Sequence, residues 1–229
     1  MPLARIGPSP PPEASPEAVR APSVLRAVYR RLAPWYDRLV PLVSRRARSA
    51  GHDWLAVRNG ERVLDVGTGT GLSLSPLVAA NPHGWTVGVD LTPAMLRRAR
   101  TRLAGASHGR FSLDQAPARA LPYGPDTFDA VYSSYLIDVL PRPHVRPALA
   151  EMRRVLRPEG RLVLVHPAPP LRPIERLWAR LMHGVPRLVG GARPVDVRPA
   201  LRRVGFSVRR STTRVQLGFR SGIVLARPE

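Results

Sequence analysis

The sequence predicts an α/β fold, with a mostly parallel sheet and helices on both of its faces. Three observations predict it: short apolar runs alternate with helical stretches from residue 62 onward, the connections are short, and no change of composition marks a second domain along the 229 residues. Parallel strands joined in this way are buried on both faces. We predict strands over 62–66, 85–90, 109–113, 128–133 and 160–166, and helices over 71–80, 92–104 and 144–156.

The N-terminal part of the chain departs from this pattern. Residues 1–22 carry seven prolines and cannot bury a core, which predicts a disordered tail. The residues that follow have apolar positions at helical spacing with arginines between them, and Pro34 and Pro41 interrupt them. We therefore predict a single domain over 23–229 that begins with helices over 23–60.

The composition excludes several classes of protein. Because the chain has no cysteine, a disulfide scaffold, a thiolate zinc site and a cysteine nucleophile are excluded. Histidines and carboxylates show no metal-site spacing, so we predict no metal. Apolar runs are shorter than the roughly 18 to 20 residues of a membrane span, and the N-terminal residues lack the apolar stretch of a secretory signal. We therefore expect a cytoplasmic protein.

The chain is strongly basic, with a formal net charge of +20, and all 36 basic residues are arginines. One interpretation is a surface that binds a polyanion such as nucleic acid. The other is a genome rich in G and C, and the scarcity of Asn and Gln favours it. We therefore do not expect a nucleic-acid partner. A protein that binds RNA or DNA without catalysis stays as the alternative function.

A glycine-rich turn joins the first predicted strand to the first helix, in the segment VLDVGTGTGL over 63–72. Such a turn lets a ligand approach the backbone at the carboxyl end of the strand. The spacing departs from the dinucleotide fingerprint G-x-G-x-x-G, because the third glycine is Gly71. Asp65, two residues before Gly67, would repel a pyrophosphate and suits a ligand with an amine or sulfonium charge. The alternative is a glycine turn with a capping aspartate.

The second predicted strand ends in an acid, Asp90, 19 residues after Gly71. A carboxylate at this position can accept hydrogen bonds from both hydroxyls of a ribose. Met95, one helical turn further on, is placed either to pack on a purine ring or to fill the core. The strand, the glycine loop and the spaced acid are together more specific than the glycines alone.

Four segments of the chain carry a family resemblance: VLDVGTGTG, VGVDLTPAMLRRAR, LPYGPDTFDAVYSSYLIDVLP and EMRRVLRPEGRLVLV. In this order and spacing they resemble the class I S-adenosylmethionine-dependent methyltransferases, in the group that contains quinone C-methyltransferases and bacterial phospholipid N-methyltransferases. The resemblance implies S-adenosylmethionine as cofactor and methyl transfer as activity. It also implies a Rossmann-like sheet of seven strands with an antiparallel last strand, and residues 205–213 and 216–226 supply the closing hairpin.

The resemblance assigns the cofactor-binding residues one by one. It places the glycine turn around the methionine moiety, Asp90 at the ribose and Leu91 at the adenine. Relatives carry Asp or Asn at the position of Pro117, and because proline cannot make that side-chain bond, adenine recognition falls to neighbouring backbone groups or to Asp114. Ser133 is either a cofactor contact or a cap. The predicted cofactor-binding residues are Asp65, Gly67, Thr68, Gly69, Asp90, Leu91, Met95, Ala116, Ala118 and Ser133.

No obligatory catalytic residue is expected, because the sulfonium already activates the methyl group. Three residues are candidates. Asp138 stands where relatives often carry histidine and is either a base or a cap. His166, at the end of the fifth predicted strand, either faces the substrate or is structural. Tyr36 resembles the tyrosine of a Tyr-Asp pair in relatives and either closes over the cofactor or anchors a helix.

The acceptor is expected to meet the segment after the fifth strand. Apolar residues between 174 and 185 have helical spacing with arginines opposite, which fits either a lid over 172–200 or an element at a membrane surface. The expected acceptor is a small molecule or a lipid, with a phospholipid amine and a quinone ring both open. The run Gly71–Leu74 slightly favours the phospholipid group by resemblance. Arginines over 26–48 and 172–180 would attract an anionic acceptor or a membrane surface, so peripheral membrane contact is part of the expectation.

Overall fold

A computed structural model of the chain describes residues 42–105, 109–173, 175–176 and 194–229. The predicted tail, Tyr36 and most of the predicted lid lie outside the described residues. Helix α1 spans 42–55, and the elements that follow it are β1 Arg62–Val66, α2 Leu74–Ala79, β2 Trp85–Asp90, α3 Pro93–Ala104, β3 Arg110–Gln115, β4 Phe128–Ser134, α4 Arg142–Val155, β5 Leu156–Pro167, α5 Arg198–Arg202, β6 Phe206–Gln216 and β7 Phe219–Pro228.

The strands form one sheet of seven in the order β3-β2-β1-β4-β5-β7-β6. Strands β1 to β5 pair in parallel, whereas β7 pairs antiparallel with both β5 and β6. The predicted seven-stranded, mostly parallel sheet with an antiparallel last strand is therefore confirmed. Since β2 and β4 flank β1, the strand order reverses at β1. Ligands of open α/β sheets bind in the crevice that such a reversal leaves at the carboxyl ends of the strands.

Successive residues of β1 point to opposite faces of the sheet and build a core on each. On one face Val63 belongs to a cluster with Leu55 of α1 and Leu77 of α2. On the other face Leu64 belongs to a cluster with Leu149 of α4. Helices therefore cover both faces, as predicted, and α1 adds the helical layer expected before the first strand.

Arg161, near the amino end of the parallel part of β5, fixes the end of α1. Its guanidinium donates to both oxygens of the Glu61 carboxylate, at 2.9 and 2.7 Å, and to the carbonyls of Leu55 and Ala56. The Arg161 and Glu61 side chains are each only 13% exposed. Bidentate contacts of this kind fix geometry as well as adding energy. They hold the carboxyl end of α1 at the amino edge of the sheet, so the start of α1 lies toward the carboxyl edge.

Several element boundaries differ from the sequence-based prediction, and the starts of α2 and β5 are two whose cause is clear. Helix α2 begins at Leu74 instead of residue 71, because Gly69 and Gly71 still have positive φ and belong to the turn. Strand β5 begins at Leu156, directly after α4, because Leu156 pairs with Phe128 across a register shift. None of the helices in the described part of the chain has the length and hydropathy that a membrane span requires.

Candidate functional site

The glycine turn after β1 is held against β2. The backbone N–H groups of Gly67 and Thr68 both donate to the carbonyl of Val89, at 2.8 and 2.9 Å. Gly67, Gly69 and Gly71 all have positive φ, the conformation that favours glycine. A Cβ on Gly71 would lie 3.2 Å from the Ala99 backbone, whereas a Cβ on Gly69 would meet nothing within 4 Å. The loop therefore packs on α3 at one end and leaves open space over its middle glycine.

Asp90, at the carboxyl end of β2, bonds the glycine turn directly. Its Oδ2 accepts the Gly69 N–H at 2.9 Å and its Oδ1 accepts the Thr92 N–H at 2.8 Å. Burial raises the pKa of this carboxyl, while the two backbone donors oppose the shift. Each carboxylate oxygen has capacity for a second hydrogen bond. Asp90 can therefore bind a pair of ligand hydroxyls without releasing the loop.

Asp65, on β1, is fully buried and only half satisfied. Its Oδ2 accepts the Thr68 hydroxyl at 2.7 Å, and its Oδ1 has no hydrogen-bond partner among the described residues. Burial is the largest cause that raises the pKa of this carboxyl to about 7. A buried carboxylate oxygen without a partner is costly unless a donor arrives. The Asp65 Oδ1 therefore has acceptor capacity for a donor that the described residues do not supply.

The two serines that end β4 form hydrogen bonds with neighbouring segments of the site. The Ser133 hydroxyl donates to the carbonyl of Val66 at 2.8 Å and is 1% exposed, so it joins the end of β4 to the end of β1. The Ser134 hydroxyl lies 3.0 Å from the hydroxyl of Ser73, just before α2. Ser133 therefore uses its donor within the protein, and only its acceptor capacity is left for a ligand.

The predicted adenine-binding residues lie next to Asp90. The Ala116 N–H donates to the Asp90 carbonyl at 3.3 Å, so the segment after β3 runs along the end of β2. The Asp114 carboxylate accepts the Tyr123 hydroxyl at 2.7 Å. The remaining members of the predicted set are Leu91 and Ala118, which are partly exposed, and Met95, which is 5% exposed.

The two described catalytic candidates are both buried near the carboxyl edge of the sheet. Asp138 is 1% exposed and lies two residues after Leu136, whose side chain packs over Gly67. His166 is 5% exposed, its Nδ1 lies 3.1 Å from the Pro167 carbonyl, and burial lowers its pKa. The Asp138 segment therefore covers the glycine turn, whereas the His166 ring is packed against backbone.

Sequence reasoning missed two residues of this site, Arg48 and Ser73. Arg48 lies on α1, and its Nη1 is 3.4 Å from the Ser73 hydroxyl. Its position within the α1 helix gives no local signal of function, because the reach of this arginine depends on how α1 is anchored on the sheet. Within the described ranges, no three His, Asp or Glu side chains cluster as a metal site would require.

The comparisons with known proteins agree with this geometry. A family model described as a methyltransferase domain matches residues 63–160. A ubiquinone/menaquinone biosynthesis C-methyltransferase of Syntrophotalea carbinolica is 39% identical over 174 residues, which cover 72% of this chain and 71% of that protein. The chain belongs to the class I S-adenosylmethionine-dependent methyltransferases.

A second relative supports this membership, and a solved structure shares the fold. The ubiquinone/menaquinone biosynthesis C-methyltransferase of Geobacter sulfurreducens is 35% identical over 175 residues, 73% of this methyltransferase and 67% of the relative. The crystal structure of a SAM dependent methyltransferase from Aquifex aeolicus matches 95% of this chain and 100% of that chain, with a TM-score of 0.63 at 18% identity. At that identity the likeness shows the fold alone.

S-adenosylmethionine is the cofactor of this methyltransferase. The polar groups at the carboxyl edge suit its chemistry. The Asp65 Oδ1 offers a buried acceptor to a cation, Asp90 offers acceptors to a diol, and the open side of Gly69 admits a ligand against the backbone. The residues that the structure describes therefore fit the cofactor.

Proposed function

We propose that this methyltransferase methylates a ring carbon of a quinone-type acceptor in its reduced, hydroquinone form. Support comes from the two relatives at 39% and 35% identity, both named for C-methylation in ubiquinone and menaquinone biosynthesis. A hydroquinone ring is electron-rich, so one of its carbons can act as the nucleophile. This similarity carries the choice of acceptor, and a phospholipid amine is the competing acceptor that the experiment below separates from it.

The methionine end of the cofactor is proposed to lie over Gly69, with its ammonium at Asp65. The supporting observations are the free Oδ1 of Asp65, the Thr68 hydroxyl that fixes its other oxygen, and the empty space over Gly69. An ammonium would satisfy the buried oxygen and favour the ionised carboxylate. Gly67 supplies the turn that makes this approach possible.

The ribose is proposed to bind Asp90, and the adenine to lie between α3 and the segment after β3. Asp90 is already oriented by two backbone N–H groups, so little order is lost when it accepts the ribose hydroxyls. Leu91 and Met95 would supply apolar contact on one side, and backbone groups of Ala116 and Ala118 would supply the polar contacts that Pro117 lacks.

The chemistry needs a proton acceptor, because a ring carbon that gains a methyl group must lose its hydrogen as a proton. When bound, S-adenosylmethionine supplies a methyl group whose sulfonium sulfur leaves as a neutral thioether. We propose Asp138 as the proton acceptor, since its segment covers the glycine turn and its side chain is 1% exposed. His166 is the weaker choice, because its Nδ1 faces the Pro167 carbonyl.

We also propose that the protein meets its acceptor at an anionic lipid surface. The part of the protein that would contact the lipid, called the hairpin tip, consists of Leu42, Val215 and Leu217, which are 52%, 42% and 66% exposed. The Gln216 side chain donates to the Leu42 carbonyl at 2.7 Å and accepts the Arg46 N–H at 2.9 Å, which brings the β6–β7 turn beside the start of α1. Exposed arginines surround the hairpin tip at positions 45, 46 and 214. Apolar side chains flanked by arginine suit an anionic membrane surface.

The acceptor is tested by incubating the purified protein with methyl-labelled cofactor and one acceptor at a time. The acceptors are a prenylated 1,4-naphthoquinol that lacks the ring methyl group, and phosphatidylethanolamine vesicles. We expect label in the naphthoquinol, at a ring carbon by mass spectrometry, and none in the phospholipid. Label in the phospholipid amine alone would overturn the proposal, and Asp90→Ala serves as the control that label transfer requires the cofactor site.

A further inference from the structure

Arg48 reaches the site from α1 and has no ion pair among the described residues. Its Nη1 lies 3.4 Å from the Ser73 hydroxyl, and its guanidinium carbon lies 5.2 Å from the centre of the Tyr135 ring. Its Nε is buried and has no hydrogen-bond partner in the part of the chain that the structure describes. A buried guanidinium nitrogen that donates to nothing costs free energy in the unliganded protein. A ligand that supplied an acceptor would remove that cost.

Arg48 and Asp65 carry opposite charges and form no salt bridge with each other. The charge of Arg48 acts to lower the pKa of Asp65, so the two groups feel each other, yet no salt bridge joins them. Each has one buried polar atom that none of the described residues satisfies, the Arg48 Nε and the Asp65 Oδ1. Charges of opposite sign that are not paired with each other suit a ligand that carries both signs at short spacing.

Arg48 is positioned by contacts with Tyr135 and Ser73. Tyr135 has a φ of +55°, an uncommon value for a residue other than glycine, and its hydroxyl lies 2.8 Å from the Ser221 hydroxyl on β7. The Tyr135 ring is therefore fixed beneath the guanidinium, where it makes a cation–π contact. On the other side the Ser73 hydroxyl is engaged with Ser134. The Tyr135 ring and the Ser73 hydroxyl thus hold the Arg48 guanidinium at the start of α2.

We propose that Arg48 binds the α-carboxylate of the cofactor's methionine end while Asp65 receives the α-ammonium. The inference rests on the proposed position of that end over Gly69. It makes Arg48 a determinant of ligand choice: the site would prefer ligands that carry a complete amino acid group over ligands that lack the carboxylate. Because α1 supplies Arg48, the helix before the sheet becomes part of the cofactor site.

The experiment measures calorimetric affinity for three ligands with wild-type protein and Arg48→Met. The ligands are S-adenosylhomocysteine, decarboxylated S-adenosylmethionine, and methylthioadenosine, which lacks the amino acid group altogether. We expect Arg48→Met to weaken S-adenosylhomocysteine by about 10- to 100-fold, the loss of a buried charge-assisted contact, and to change the other two by less than about twofold. Arg146→Met, an exposed change on α4, should change none of them.

The possible outcomes separate this inference from the proposed position of the cofactor. An equal loss for all three ligands, or no loss for S-adenosylhomocysteine, would overturn the role of Arg48. If Arg48→Met keeps its cofactor affinity but raises the KM of the acceptor, Arg48 binds the acceptor and the inference is again overturned. If instead Asp65→Asn leaves the binding of S-adenosylhomocysteine and of decarboxylated S-adenosylmethionine unchanged, the proposed ammonium site fails. The melting temperature of each variant shows whether it folds. If Arg48→Met does not fold, Arg48→Lys, which keeps the charge, takes its place in the experiment.

Discussion

The carboxylate of Asp90 accepts the backbone N–H of Gly69 at 2.9 Å, so the acid that ends β2 also holds the middle glycine of the turn after β1. One side chain thus shapes the loop and faces the ligand space. The same carboxylate accepts the Thr92 N–H at the start of α3. Changes at Asp90 therefore affect both the stability of the loop and its binding of a ligand.

Asp90→Ala is expected to weaken S-adenosylhomocysteine by at least about tenfold and to lower the free energy of unfolding by about 1–3 kcal/mol, because two backbone N–H groups lose their acceptor. Asp90→Asn keeps one acceptor oxygen, so its affinity and its free energy of unfolding should lie between those of the wild type and those of Asp90→Ala. Calorimetry and urea unfolding measure the two effects. The matched control is Glu159→Gln, an exposed acid. Unchanged affinity in Asp90→Ala would contradict the proposed ribose contact.

Asp65→Asn is expected to stabilise the unliganded protein. Burial raises the pKa of Asp65 to about 7, so between about pH 4 and pH 7 the folded protein holds a proton that the unfolded chain has lost. Stability therefore falls as the pH rises through this window. Asparagine does not ionise, so its stability does not fall in this way as the pH rises. The variant should therefore be more stable than wild type by about 1–3 kcal/mol at pH 8, and by much less at pH 4. Urea unfolding at both pH values measures this, and an equal difference at both would contradict the cause.

Cofactor binding should release a proton near pH 6. A cationic group at Asp65 favours the ionised carboxylate, so the affinity for S-adenosylhomocysteine should fall as the pH drops below about 7. Calorimetry in two buffers of different ionisation enthalpy counts the protons released. The same titration with Asp65→Asn is the control, and it should release fewer protons. Proton uptake by the wild type would show that the ligand favours the neutral acid.

Asp138→Asn is expected to lower kcat by about 100-fold or more if Asp138 accepts the proton from the ring carbon. The affinity for S-adenosylhomocysteine should change little, since Asp138 is proposed to act on the molecule that is methylated and not on the cofactor. His166→Asn is the matched comparison, because both side chains are buried near the carboxyl edge of the sheet. A larger loss of kcat in His166→Asn than in Asp138→Asn would indicate that His166, and not Asp138, accepts the proton.

Leu217→Glu is expected to reduce binding to vesicles that contain phosphatidylglycerol. Leu217 is 66% exposed at a φ of +49°, a turn position where a leucine adds nothing to the core. Co-sedimentation with anionic and with neutral vesicles measures the bound fraction, which should fall severalfold for the anionic vesicles. Trp85→Glu adds the same charge at an exposed apolar residue at the start of β2, and should bind as the wild type does. Equal binding of Leu217→Glu and Trp85→Glu to anionic vesicles would contradict the proposed contact between the hairpin tip and lipid.

Much of the fold could be predicted from the sequence because its signals are local. The strands over 62–66 and 85–90 end where the apolar runs end, and β1 and β2 have those bounds. The start of β5 could not be predicted, since Leu156 becomes a strand residue only by pairing with Phe128 on β4. That pairing is a tertiary contact with no local pattern.

The site divides in the same way. Asp65 and Asp90 stand at fixed spacing from the glycines, so sequence reasoning finds them. Spacing does not predict the hydrogen bonds of these two carboxylates, because they depend on the folded loop. Asp90 accepts from two N–H groups, whereas one oxygen of Asp65 has no partner among the residues described. Arg48 is found only in the folded molecule, since it belongs to a helix whose direction is set by contacts at the far edge of the sheet.

The clamp that Arg161 forms with Glu61 and the last carbonyls of α1 has a consequence for how such a chain can diversify. It acts as a fixed pivot at the edge of the sheet away from the ligand. Substitutions in the first turn of α1 can then change what the carboxyl edge presents to the ligand while the strands keep their pairing. A library that varies residues 42–46 and keeps Arg161 and Glu61 would explore acceptor preference on an intact sheet.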